Sequence, residues 1–105
     1  MTYSIILTSR FEKDVEAFGL YCKGYSNEFA EEKLSELEEV ITRSLSNHPL
    51  SYSYFTQTGF PYRAYLFKAG RRTQYWIVFS VNEQNKSVKL LRFWNAMQNP
   101  LRFRA

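Results

Sequence analysis

The chain has little of what most active sites are built from: one cysteine, one histidine and one aspartate among 105 residues. Cys22 alone cannot close an intrachain disulfide, and no Cys/His/Asp/Glu set has metal-ligand spacing. As a nucleophile Cys22 would need a basic partner, and the single histidine, His48, is followed by Pro49. A free cysteine is read instead as a small core hydrophobe. A Ser–His–Asp triad would have to draw on His48 and Asp14, and no serine stands out to complete it. The four glycines form no phosphate-cradling loop. No apolar run approaches the roughly 18 residues of a membrane span. The opening stretch Met1–Arg10 has too short an apolar centre for a signal peptide. These absences lead us to expect a cytoplasmic protein with no metal, no cofactor and no membrane partner.

What the chain does have is aromatic and basic. Aromatics make up 18% of the residues, and the formal net charge is +4. The charge is divided along the chain. Residues 1–50 carry 5 Lys/Arg against 9 Asp/Glu, or −4, while residues 51–105 carry 9 against 1, or +8. A basic C-terminal half suits nucleic acid or an acidic protein. The length fits one domain, residues 1–105.

The pattern predicts a short strand over Tyr3–Leu7. Ser9 is expected to cap a helix with apolar positions Phe11, Val15, Phe18 and Cys22, and acidic residues in its first turns suit the helix dipole. A break falls near Lys23-Gly24-Tyr25. A second helix, capped by Ser26 or Asn27, carries the stripe Ala30, Leu34, Leu37, Val40 or Ile41, and Leu45, and ends before Pro49. Its acidic run is a solvated face or a contact for a basic partner. Leu50–Thr58 reads as a polar-aromatic loop. The stretch from Phe60 to Pro100 then reads as three antiparallel strands: Tyr62–Lys68, Thr73–Val81 and Ser87–Trp94. The last should place Val88, Leu90, Arg92 and Trp94 on one face, and Lys89, Leu91 and Phe93 on the other. The expected fold is α+β: an N-terminal strand and an antiparallel helical hairpin packed on one face of a small antiparallel sheet.

With helices on one face, the other face or its concave edge is left for function. Arg63, Lys68, Arg71, Arg72 and Arg92 are expected there, interleaved with Tyr65, Tyr75 and Trp94. Arginine forks match phosphate oxygens, and aromatic rings stack on unpaired bases. Arg71 and Arg72 fit exposed turn residues equally well, and the aromatics fit a core. Arg92, amid Val88, Leu90 and Trp94, needs water or a partner. Metal-free RNA cleavage needs a group to take the 2′-OH proton and cations for the phosphorane, which Arg, Lys and Tyr can supply. Asn95 can orient a sugar or phosphate but cannot transfer a proton.

The run "PYRAYLFKAGRRTQYWIVFSVNEQNKSVKLLRFWNAMQNP", with the strand and helical hairpin before it, resembles the RelE/ParE superfamily of bacterial type II toxins. The resemblance covers nearly the whole chain and rests on the order of its parts. It implies a growth-inhibiting, plasmid-stabilising toxin neutralised by a cognate antitoxin protein. Many relatives cleave mRNA in the ribosomal A site; others poison DNA gyrase and are not nucleases. By position, Arg63 and Lys68 match the family's basic strand, Arg92 its closing strand, and Asn95 a position that is often histidine. Arg63, Arg92 and Asn95 are therefore the implied catalytic residues, with Lys68, Arg71, Arg72, Tyr65 and Trp94 binding nucleic acid. The chain departs from the pattern at Trp76, Asn95 and Gln98, where Arg, His and Arg are common. A gyrase-directed toxin or a catalytically decayed binding protein is the alternative. On this reading Arg63→Ala and Arg92→Ala should weaken toxicity with little loss of fold.

Overall fold

The computed structural model describes residues 2–56, 59, 61–98 and 102–104. Phe60 and Pro100, the ends of the aromatic-basic stretch, lie outside the described residues, as do Gln57 and Thr58 of the loop before it. The elements run β1 (Ser4–Leu7), α1 (Ser9–Lys23), α2 (Asn27–Glu39), β2 (Arg63–Lys68), β3 (Gln74–Asn82) and β4 (Ser87–Asn95). The architecture is α+β, with a four-stranded sheet in the order β1-β4-β3-β2. β2, β3 and β4 are antiparallel neighbours, as the hairpin turns require. β1 instead joins β4 in parallel, Ser4 opposite Ser87 through Leu7 opposite Leu90. The sheet is therefore mixed, which corrects the expectation of an all-antiparallel one. Strand composition announces β structure but not the direction of pairing.

α1 starts one residue earlier than Ser9 suggested. Thr8 is the cap: its hydroxyl accepts from Phe11 N at 3.2 Å and donates to Leu90 O at 2.8 Å. One side chain thus starts the helix and fastens it to β4. Ser26 caps α2, accepting from Phe29 N at 3.0 Å. The predicted stripes do face the core: Phe11, Phe18 and Cys22 of α1 and Ala30 and Leu37 of α2 are buried, with Val15 and Leu34 packed against them. The uncertainty between Val40 and Ile41 has a structural cause. α2 widens into a π-helical turn over Val40–Leu45, and both residues pack on the core while Leu45 is fully buried. The wider turn lets adjacent positions share one face.

Two cores result, one on each side of the sheet. The larger joins the helices to Phe67, Ile77, Phe79, Val88, Leu90 and Phe93. Phe18 is its hub, in edge contact with Phe67, Tyr75 and Phe93 at centroid distances of 6.2, 4.9 and 5.1 Å. Burial pushes the Tyr75 phenol up, with Tyr21 adding to the effect; burial also raises Tyr65. The smaller core lies on the opposite face, where Phe55 and Phe103 cover Ala64, Val78 and Trp94. That face had been expected to stand open. Residues 53–55 also pair with 62–64 through Ala64 N to Ser53 O and Phe55 N to Tyr62 O, lining the outer edge of β2.

β4 departs from strict alternation. Val78 faces Arg92 but Phe79 faces Leu90, so Leu91 is an extra residue in a β-bulge. Val88, Leu90 and Phe93 consequently share the helix side, while Arg92 and Trp94 share the other. Alternation had placed Phe93 opposite to Val88 and Leu90. The bulge reverses every position after it.

Candidate functional site

β1 ends opposite Leu90, so the edge of β4 beyond it has no strand partner on that side. α1 covers this edge, and Asp14 supplies the missing acceptor: Phe93 N donates to its Oδ2 at 3.0 Å. Arg92 reaches around the edge to the same carboxylate. Its Nε donates to Oδ2 at 2.7 Å and its Nη2 to Oδ1 at 3.2 Å, a two-pronged ion pair with both side chains less than one-fifth exposed. The third nitrogen, Nη1, donates to Arg104 O at 2.6 Å, and the guanidinium lies over the Trp94 ring at 5.1 Å. Each nitrogen of Arg92 has a protein acceptor. The expectation that Arg92→Ala spares the fold does not survive this geometry.

Beside this pair lies a cleft of about 390 Å³, walled by α1, the turn before β3, and the end of β4. Asp14, Tyr21, Arg72, Thr73, Tyr75, Arg92, Trp94, Asn95 and Gln98 line it, with Phe18 and Phe93 at its base. Four of the eight sequence-predicted residues therefore converge here: Arg72, Arg92, Trp94 and Asn95. Arg72 is exposed and sits on a turn closed by Ala69 N and Gly70 N donating to Thr73 O. Asn95 Oδ1 accepts from Met97 N at 2.9 Å, so this side chain shapes the turn that follows β4. Trp94 is 6% exposed and packs edge-on against Phe103 at 5.3 Å, which leaves its faces inside the smaller core. It cannot serve as an open base-stacking platform.

The other four lie elsewhere. Arg63 pairs with Phe79 and so faces the helix side, opposite to Arg92. Its guanidinium donates to Tyr52 O at 2.7 Å and to the Tyr54 hydroxyl at 3.2 Å, and lies over the Tyr54 ring. Tyr65 packs against the larger core in edge contact with Tyr52. Lys68 is exposed on the opposite face, across from Gln74, and Arg71 is exposed on the turn outside the cleft. The single basic face expected from alternation is thus divided between two faces and a turn.

Sequence reasoning missed Tyr21. It lies in the cleft, 44% exposed, and its hydroxyl is 3.1 Å from that of Tyr25. Hydrogen bonds with Tyr25 and Thr73 hold its phenol below the ordinary tyrosine value, while the same contact raises Tyr25. The spacing of two tyrosines four apart, off the apolar stripe, was the available signal. Cys22 is fully buried, and burial pushes its thiol up, away from the reactive thiolate. Among the described residues no group of three His, Cys, Asp or Glu side chains could hold a metal ion. No helix among them is long and apolar enough to cross a membrane.

No protein-family model matches the chain, and no curated protein matches it in sequence.

Proposed function

We propose that the chain is the toxin of a type II toxin–antitoxin module with a RelE/ParE-like arrangement. It acts in the cytoplasm, inhibiting translation by ribosome-associated mRNA cleavage until a cognate antitoxin protein binds it. The observation that carries this reading is the cleft, which gathers Arg72, Arg92 and Asn95 beside two tyrosines in a water-accessible recess. A cation beside groups able to accept or orient a proton is what metal-free transesterification of RNA needs. The order strand, helical hairpin, three antiparallel strands also agrees with the arrangement that the sequence resembles. Expression of the chain alone, with transcript 5′ ends mapped during growth arrest, tests it. New ends within coding regions and a halt in protein synthesis are expected; intact mRNA with continuing synthesis would refute it.

One observation favours a second reading, a non-nuclease toxin directed at DNA gyrase. The guanidinium of Arg92 is engaged by Asp14 and Arg104, that of Arg63 by Tyr52 and Tyr54, and Asn95 by its own turn, so all three implied catalytic residues have structural partners. DNA breaks and an induced damage response on expression, with mRNA intact, would decide for it.

A further inference from the structure

We propose that Tyr21 is the proton acceptor of the cleft, held by Tyr25, and that its substrate is single-stranded RNA presenting a ribose 2′-OH. This rests on the RNA-cleaving reading above and adds the residue that performs its first step.

The other titratable oxygens of the cleft are already engaged or partly buried. Asp14 is the one carboxylate lining it, and both of its oxygens are occupied, Oδ1 by Arg92 and Oδ2 by Arg92 and Phe93 N. Tyr75 lies flat on Phe93, with ring centroids 4.5 Å apart and planes 1° from parallel, and its burial favours the neutral phenol. His48 lies among Tyr3, Pro49 and Leu50, outside the cleft. Among the described residues that line the cleft, Tyr21 is the exposed titratable oxygen not locked in an ion pair, whereas Tyr75 is partly buried against Phe93. Its geometry is fixed by more than one contact. The Tyr25 ring stands edge-on to it at 5.5 Å, and the Tyr25 ring is in turn edge-on to Phe29 at 5.6 Å. The hydroxyl–hydroxyl contact can donate toward Tyr21 Oη and so stabilise its anion.

The groups facing Tyr21 are Tyr25 from the inter-helix turn, Thr73 and Arg72 from the turn before β3, Tyr75 from β3 and Cys22 from α1 itself. The hydrogen bonds from Tyr25 and Thr73 lower its phenol, while burial and Cys22 oppose them. In the step itself, the 2′-OH proton passes to the Tyr21 phenolate as the 2′ oxygen forms its bond to phosphorus. The P–O5′ bond breaks, and the departing 5′ oxygen takes a proton from water. The resulting hydroxide removes the proton from Tyr21, and the products are a 2′,3′-cyclic phosphate and a 5′-hydroxyl. No electron is transferred and no water is consumed. Arg72, on the rim of the same cleft, is the cation that meets the phosphate oxygens.

The test uses the full chain on ribosomes carrying a defined mRNA, with cleavage rate followed against pH. Tyr21→Phe should slow cleavage by about 100-fold or more, the scale of a lost general base, and abolish the rise in rate with pH. Tyr25→Phe should slow cleavage at a given pH on the rising limb and move that rise to higher pH, with the rate recovered as pH increases. Wild-type rate and pH profile in Tyr21→Phe would overturn the assignment. A wild-type chain that arrests growth but leaves ribosome-bound mRNA whole would overturn the RNA-cleaving reading, and the assignment with it. The two failures are told apart by the wild-type lane.

Discussion

Asp14→Ala should destabilise the chain by about 3 kcal/mol, the low end for breaking a buried ion pair from one side. Two groups lose their partner at once: the Arg92 guanidinium and the Phe93 amide. The low end applies because both side chains keep some contact with water, at 18% and 19% exposure. For a domain of this length the loss corresponds to a melting temperature lowered by roughly 15 °C. Asp14→Asn should fall between wild type and alanine, since its amide oxygen can still accept from Phe93. Removing both charges with Asp14→Leu and Arg92→Met should recover part of the loss, because two apolar partners leave no charge stranded. Urea titration and thermal melts of the four proteins measure this. An alanine variant that melts within a few degrees of wild type would show that the carboxylate does not hold the edge of β4.

Phe93→Ala should destabilise the chain by about 3–5 kcal/mol, the cost of removing a buried phenylalanine. Phe93 is 3% exposed, stacks on Tyr75 and meets Phe18 and Phe67 edge-on or tilted. Its place in the larger core depends on how β4 pairs with β3. Leu90 faces Phe79, Arg92 faces Val78 and Phe93 faces Ile77, with Leu91 the extra residue between Leu90 and Arg92. Deleting Leu91 leaves those pairs in regular alternation, so Arg92 and Phe93 keep their present faces. The deletion variant should therefore fold cooperatively and lose less stability than Phe93→Ala. Circular dichroism on heating, with amide NMR dispersion, reads both results. A Phe93→Ala chain that melts near the wild-type temperature would mean that Phe93 does not anchor the larger core. A deletion variant without a cooperative transition would mean that the bulge is needed for β4 to pair.

The same bulge marks where the sequence stops being legible. Both helices, their stripes and the break at Lys23–Tyr25 follow from periodicity and capping, because those signals lie within a few residues of each other. The strands were legible as strands. The parallel pairing of β1 with β4 was not, since it joins residues more than eighty apart with no local turn to set direction. Nothing in the run from Ser87 to Asn95 announces an extra residue, so Arg92 and Trp94 were grouped with Val88 and Leu90, and Phe93 was set apart from them. Phe55 and Phe103 are isolated aromatics outside any periodic element, and their closure of the second face has no local signature. Asp14 illustrates the same limit: its partner is 78 residues away, and its neighbours suggested only a helix dipole contact. Of the predicted site, the residues near the end of β4 and its facing turn came together, while those assigned by alternation along β2 did not.

The central claim is that function resides in the cleft between α1 and the end of β4, and Arg72 against Arg63 separates this from the alternatives most directly. Arg72 is exposed on the rim of that cleft, whereas Arg63 lies outside it, engaged by Tyr52 and Tyr54. Growth arrest and transcript ends are measured on expressing wild type, Arg72→Ala and Arg63→Ala, with folding checked by circular dichroism. Arg72→Ala should fold and lose both arrest and cleavage. Arg63→Ala, short of one hydrogen-bonded cation worth about 1 kcal/mol, should keep them. Full arrest by a folded Arg72→Ala, together with its loss in a folded Arg63→Ala, would contradict the account.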